Sequence, residues 1–388
     1  MFDKRILDTD SIIASAHIAT GTESMVEDNL RARVDWLVKS FRDAATTYST
    51  DQAIATRRQI VKLLARRISI SRDIAKHPEI LDEAVEDPIF VIGFMRTGTS
   101  IMQALLAADP GNRGVKAWQT REPSPPPGEG PVAPYRIRAA GDDVFRFVER
   151  SQGLIALHPY WDDWADTLIE DDEILAIDFR NSYPTMLYDA PTLGYMFTDE
   201  DHESRYQFLK TFLQHQQWSL PKRRWVVKGV DHQAYMSALL KVFPDAKCVF
   251  VHREPAEFLP SGLAIGMNLY DGVTSGAMTR EEFGELTMAS FRDRLPQIAA
   301  DPAMDLPNVK HMKFHDFISD PIAALRGCYA EWGFAWTGEG EAAMRGWLDD
   351  PRNRSDRYGK HKYTFEPYGV DWEKESPAFN SYRAKFLR

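Results

Sequence analysis

The sequence is poor in cysteine. Only Cys248 and Cys328 occur in 388 residues, too few and too far apart for a disulfide framework or a cysteine-ligated metal cluster. Two such thiols fit a reducing compartment. Long apolar runs are also missing. No stretch of about 18 apolar residues occurs, so no transmembrane segment is expected. The opening MFDKRILDTDSIIASA lacks the apolar core of a secretory signal, and a soluble, cytoplasmic protein is the expectation. Nor is positive charge in excess: 47 Lys and Arg against 57 Asp and Glu leave a net charge of −10. An acidic chain gains little from long-range attraction to nucleic acid, so a polynucleotide partner is not expected. A local basic pocket for a small anion is still allowed. A homodimer is compatible with these features and not demanded by them.

What is present has ordinary globular proportions, 44% hydrophobic and 27% charged, in a chain long enough for one large α/β domain with additions. Residues 24–76 read as helices. Leu30, Val34, Leu37, Val38 and Phe41 fall on one stripe, and a second helix runs through Ile54, Ile60, Val61, Leu64 and Ile68 before Pro78. This predicts a helical N-terminal cap over residues 1–86, packed on a main domain at 87–388. From Pro88 the pattern changes. PIFVIG, RRWVVKG at 223–229, AKCVFVHRE at 246–254 and VKHMKF at 309–314 are short apolar runs that suit buried strands. Helical segments separate them, including DHQAYMSALLKVF and the stretch from Pro321 to about Trp332. The Pro/Gly-rich TREPSPPPGEGPVAP at 120–134 reads as a surface loop. An aromatic-rich helical insert is expected at about 141–220. Strands alternating with helices predict an α/β fold with a mostly parallel central sheet flanked by helices.

Between the first strand and the next helix lies GFMRTGTS, Gly93 to Ser100. It keeps both glycines and the final hydroxyl of the phosphate loop G-x-x-x-x-G-K-[ST], but Thr99 stands where that motif has lysine. Backbone N–H groups at the helix start can bind an anion. Thr97, Thr99 and Ser100 add hydroxyls, and Arg96 adds a fixed charge able to grip two oxygens. The missing lysine argues against triphosphate hydrolysis, where it neutralises the β- and γ-phosphates together with magnesium. A second anion site is expected at CVFVHREPAEFLPS, where a strand ends at Arg253 and Ser261 follows on the next helix. Ligands of doubly wound sheets gather at these carboxyl ends.

Together these segments resemble the sulfotransferases that use 3′-phosphoadenosine-5′-phosphosulfate (PAPS), in particular their bacterial-type branch. The likeness rests on PIFVIGFMRTGTSIMQALLAADP, KRRWVVKGVDHQAYMSALLKVFPDAKCVFVHREP, FHDFISDPIAALR and GKHKYTFEPYGVD, and covers roughly residues 88–370. It implies a P-loop-like fold and a set of roles. Arg96, Thr97, Gly98, Thr99 and Ser100 would hold the 5′-phosphosulfate, and Arg253 and Ser261 the 3′-phosphate. Lys228 would reach the sulfonate and bridging oxygen. Lys360 and His361 would close on the nucleotide, and Phe314 would lie near the adenine. The product would be 3′-phosphoadenosine-5′-phosphate (PAP).

In-line transfer needs a base for the acceptor hydroxyl and cations for the leaving phosphate. Arg96 and Lys228 suit the second task, and the chemistry requires no metal. For the base, relatives often place a Glu after a Trp about twenty residues beyond the loop. Here that position reads Trp118-Gln119. Three substitutes remain: His232, which titrates near neutrality, Glu173 in EDDEIL, and Glu122. The aromatics from His158 to Tyr195 lie where the family builds its acceptor pocket, which would suit a phenol, sterol, quinol or lipid alcohol. A P-loop kinase or NTPase and a non-catalytic nucleotide-binding protein are the alternatives. The absent loop lysine predicts that the protein incubated with magnesium and ATP releases no phosphate above background, and steady release would favour the kinase reading.

Overall fold

Ile89–Ile92 (β1) is the midpoint of the sheet, and each of its four side chains is fully buried. In the computed structural model, residues 3–22, 26–44, 49–151, 153–180, 202–274, 278–354, 356–359 and 361–388 are described. Five strands form one sheet: β1, Asn112–Gly114 (β2), Arg224–Gly229 (β3), Lys247–His252 (β4) and Val309–Lys313 (β5). Their order is β2-β3-β1-β4-β5, and every pairing is parallel. Helices flank the sheet, as the alternating pattern predicts.

The alternation of a strand's side chains divides the core in two. Phe90, Ile92, Val227, Cys248 and Phe250 join the larger cluster, which continues through the N-terminal helices. Ile89, Val91, Val226, Val249 and Val251 join a smaller one with Met102, Leu105, Phe317 and Leu325. Buried parallel strands need apolar residues on both faces, and these short runs supply them.

The N-terminal helices are Thr9–Thr20, Asp28–Ala44 and Thr50–Lys76. The stripe expected on the second, Leu30 to Phe41, is buried in the larger cluster. The third begins with a capping box in which Ser49 and Gln52 satisfy each other's main-chain donors. Sequence patterning missed the first helix and the three-residue β2. It also extended the helix after β3 too far back: a 3-10 turn occupies His232–Ala234 and the α-helix starts at Met236. Among the described residues, no helix is long and apolar enough to cross a membrane.

Phe90 sits at 5.3 Å from the Phe243 ring and 5.2 Å from that of His232. Replacing a fully buried phenyl ring in a central strand removes its transfer energy and leaves a cavity. Phe90→Ala is therefore expected to lower stability by about 3–5 kcal/mol in urea denaturation. A loss below about 1 kcal/mol would mean that this strand does not anchor the core.

Candidate active site

The turn after β1 is shaped by steric necessity. A Cβ on Gly93 would lie 2.7 Å from both Thr97 Oγ1 and Thr99 Cγ2, so the loop folds over the strand tip only with glycine there. Arg96 (φ 67°) and Gly98 (φ 88°) both adopt left-handed backbone. A Cβ on Gly98 would press on the Phe314 ring at 3.0 Å. Thr97 is fully buried, and its hydroxyl donates to Phe94 O at 2.7 Å; it shapes the loop. Gly98 caps the helix Thr99–Ala108. The first N–H groups of that helix have no acceptor within it, and they favour an anion at this end.

The sheet order puts a cation on each side of the loop. On one side, Lys228 pairs in register with Val91. Its Nζ donates to Ser100 Oγ at 3.0 Å and lies 2.8 Å from Glu170 Oε1. The charge that the loop lacks at position 99 thus arrives from β3. Glu170 is delivered by a segment bound to strand ends: Ile169 N–H donates to Val115 O at 3.0 Å and Asp171 N–H to Lys228 O at 2.9 Å. Gln103 Nε2 adds a bond to Ile169 O at 2.9 Å. His158 Nε2 lies 3.3 Å from Ser100 Oγ. Burial, with Lys228 and Arg96 nearby, pushes the His158 imidazole down to about 3, so it is neutral over the working range.

On the other side stand Arg253 and Ser261. Arg96 Nε donates to Ser261 Oγ at 2.9 Å, and Arg253 Nη1 donates to Arg96 O at 2.8 Å. The Arg253 guanidinium lies over the Phe314 ring at 4.1 Å and pairs with Glu257 at 2.9 Å. Burial lowers the Arg96 pKa, opposed by Tyr363 and Tyr160 and assisted by Arg253. Two guanidinium groups held this close form a site that an anion would relieve.

Arg96, Ser100, Lys228, Arg253, Ser261 and Phe314 are thus brought to one loop. The substitutes considered for the base are not. His232 is fully buried, with Nε2 2.9 Å from Asp171 Oδ2 and Nδ1 3.1 Å from the Tyr206 hydroxyl. Shut in by Phe90 and Tyr206, it offers no face to a substrate. Glu173 binds Arg121 at 3.0 Å and accepts from Thr120 Oγ1 at 3.1 Å. It faces a separate groove between the helices Thr50–Lys76 and Pro134–Arg150. Glu122 lies among Arg66, Arg136 and Asp143, and burial raises its pKa. Gln119 caps its own short helix by accepting from Lys116 N–H at 2.9 Å. His361 is exposed beside Tyr363, and Lys360 lies outside the described residues. The group that sequence patterning does not single out is Glu170; His158 falls in the expected acceptor stretch, but its contact with Ser100 is not foreseen. The acidic run 170–173 was the visible signal, and it was read three residues too late.

A pocket opens next to Ser100 and Lys228, walled by His158, Tyr160, Trp161, Leu168, Glu170 and Trp347. Burial pushes the Tyr160 hydroxyl up to about 12 against the pull of Arg96 and Arg357. The expected aromatic insert is divided. His158, Tyr160 and Trp161 line this pocket, whereas Phe179 and Tyr206 are core. Residues 181–201 lie outside the described residues.

A parallel sheet with a glycine-bearing loop at the carboxyl end of its central strand, flanked by Lys228 and Arg253, is the form of α/β protein that takes its ligands at that edge. The Sulfotransferase family model matches residues 88–338, and the chain belongs to that family. Solved structures agree on the fold. A sulfotransferase from Mycobacterium avium superposes with TM-score 0.82 at 28% identity, covering 97% of this chain and 96% of that one. A sulfotransferase from Mycobacterium tuberculosis H37Rv superposes at 0.77 with 22% identity, covering 97% and 100%. The omega-hydroxy-beta-dihydromenaquinone-9 sulfotransferases of Mycobacterium bovis and Mycobacterium tuberculosis are each 23% identical over 262 residues. That match takes in 64% of this chain and 63% of each relative's length.

The neutral His158 makes stability depend on acid. Its folded pKa lies at about 3, below the ordinary 6.5, so the unfolded chain takes up the proton first. Stability is therefore lost as pH falls below about 6.5. His252 and His311, lowered chiefly by burial, add to the same slope. Chemical denaturation at pH 6.5 and 5 should show a loss of about 1–2 kcal/mol from His158. His158→Asn should flatten the slope by that amount, and an unaltered slope would mean that the ring protonates freely in the fold.

Proposed function

We propose that the protein transfers a sulfonate group from PAPS to the hydroxyl of a small hydrophobic acceptor. The carrying observation is that Arg96 belongs to both anion clusters. It sits in the loop at the helix start while bonding Ser261 and being held by Arg253. A ligand with two anionic ends, one at the loop and one at Arg253 and Ser261, suits that arrangement. The stacked Phe314 offers an aromatic face between them for a base.

In this reading Ser100, Lys228 and the N–H groups of the loop hold the sulfonate and the 5′-phosphate. The acceptor oxygen bonds to sulfur as the bond from sulfur to the bridging oxygen breaks. The hydroxyl proton passes to Glu170, the carboxylate nearest Lys228. Lys228 and Arg96 meet the negative charge that appears on the leaving phosphate. His361 and Lys360 close on the nucleotide. The walls of Tyr160, Trp161, Leu168 and Trp347 favour a phenol, sterol, quinol or lipid alcohol. The dihydromenaquinone named for the 23%-identical relatives is of this kind.

The test is PAP release from PAPS with a panel of phenols and lipid alcohols. Arg253→Ala is expected to weaken PAP binding in calorimetry by about 10–100-fold, the worth of a lost charge-assisted contact. Lys228→Ala should lower kcat by about 10²–10³-fold and Glu170→Gln by about 10²–10⁴-fold, each with PAP affinity changed far less. PAP binding with no turnover on any acceptor would favour the non-catalytic alternative.

A further inference from the structure

The end of β4 is tied to the last helix by a chain of three hydrogen bonds, and every proton in it can be assigned. Met304 O can only accept, so His311 carries its proton on Nε2, which donates to it at 2.7 Å. A neutral His311 then accepts at Nδ1, and its partner at 2.7 Å is His252 Nε2, which must be the donor. His252 Nδ1 is left to accept, and the Tyr382 hydroxyl donates to it at 2.9 Å. All the donors point one way, from the Tyr382 hydroxyl to Met304 O, and such chains strengthen one another in a buried setting. Burial holds both imidazoles below their usual range, which keeps them neutral as the chain requires.

The same helix, Asn380–Phe386, holds the turn twice more. Arg383 donates to Glu254 Oε1 from Nε at 2.8 Å and from Nη2 at 2.6 Å. The Phe386 ring stacks on His252 at 4.2 Å and 8°. His252 and Glu254, on either side of Arg253, are thus fixed from a segment about 130 residues away in sequence, and none of these contacts is part of the Arg96 loop.

We propose that Tyr382 is a positioning residue for donor binding: its hydroxyl fixes His252, the last residue of β4, while its helix holds Glu254, and so it sets the angle at which the guanidinium of Arg253 between them reaches Arg96 and the 3′-phosphate. The inference rests on the reading of Arg253 as a 3′-phosphate ligand. Tyr382→Phe removes one oxygen and leaves His252 Nδ1 without that partner.

The experiment compares wild type, Tyr382→Phe and Phe41→Leu, a core change in the helix Asp28–Ala44 that serves as a stability control. Calorimetry measures PAP affinity, and steady-state assays separate KM for PAPS from kcat. Tyr382→Phe is expected to raise the PAP Kd and the KM for PAPS together by about 5–10-fold, the scale of one neutral hydrogen bond, with kcat within about twofold. Phe41→Leu should lower the melting temperature and leave the Kd as in wild type. If Tyr382→Phe melts earlier but binds PAP like wild type, the residue is only structural and the inference is overturned. If wild type itself does not bind PAP, the reading of Arg253 fails, and the inference goes with it. Should Tyr382→Phe not fold, Arg383→Gln acts on the same turn and must raise the Kd in the same direction; an unchanged Kd overturns the proposal.

Discussion

The site depends on one constraint: β1 lies between β3 and β4. A strand in the middle of a parallel sheet has neighbours whose carboxyl ends project beside its own. Whatever follows β3 and β4 must therefore stand on either side of the loop that follows β1. Lys228 and Arg253 occupy those places, and they are 25 residues apart in a chain of 388. On the proposed reading, a loop suited to an anion by its glycines and helix start takes a doubly anionic ligand through its neighbours, which Arg96 joins to it.

The displacement of the cation from position 99 to β3 has consequences for the chemistry. A lysine in the loop moves with the loop. Lys228 belongs to a strand paired on both sides, by β1 and by β2, so its main chain is held by the sheet. Its ammonium is balanced by Glu170 and Ser100 at 2.8 and 3.0 Å. A cation that arrives already oriented stabilises a developing charge without reorganisation at the moment of transfer. The neutral His158 beside Ser100 adds a polar face without adding a competing charge.

The sheet and the anion loop were legible in the sequence because their signals are local. Four-residue apolar runs, a glycine pair at fixed spacing and an arginine at a strand end each lie within a few residues of one another. The proposed proton acceptor was not legible, for a geometric reason. Glu170 reaches Lys228 because residues 169 and 171 hydrogen-bond to the main chain of β2's exit and of Lys228, a pairing with no periodicity of its own. Glu170 to Glu173 are all acidic or flanked by acids, and the sequence does not say which one turns inward. The structure turns Glu173 toward Arg121 and Thr120. His232 looked apt because it follows Lys228 by four residues. The 3-10 turn at His232–Ala234 instead carries its ring under the strand, against Asp171. β2 escaped because a three-residue element leaves no pattern to read, whereas the first helix carries Ile12, Ile13 and Ala16 into the core within a segment weighed only as a secretory leader.

On the proposed reading, the donor and acceptor halves of the site are built from different materials, and this bears on how acceptor choice and donor binding can vary separately. The donor half uses the sheet and helix starts, where a change of backbone would disturb two core clusters at once. The acceptor half uses the segment from His158 to Glu170 and side chains of the C-terminal third such as Trp347 and Arg357. Arg357 joins these parts by bonding Pro159 O and Asp162, and the Tyr358 hydroxyl adds a bond to Asp162 at 2.8 Å. These are contacts between loops, which tolerate substitution far better than strand pairings do. One rigid donor half can therefore serve many acceptors, with the pocket wall redrawn around a fixed Lys228. For the same reason, family membership speaks more strongly to the transferred group than to the molecule that receives it.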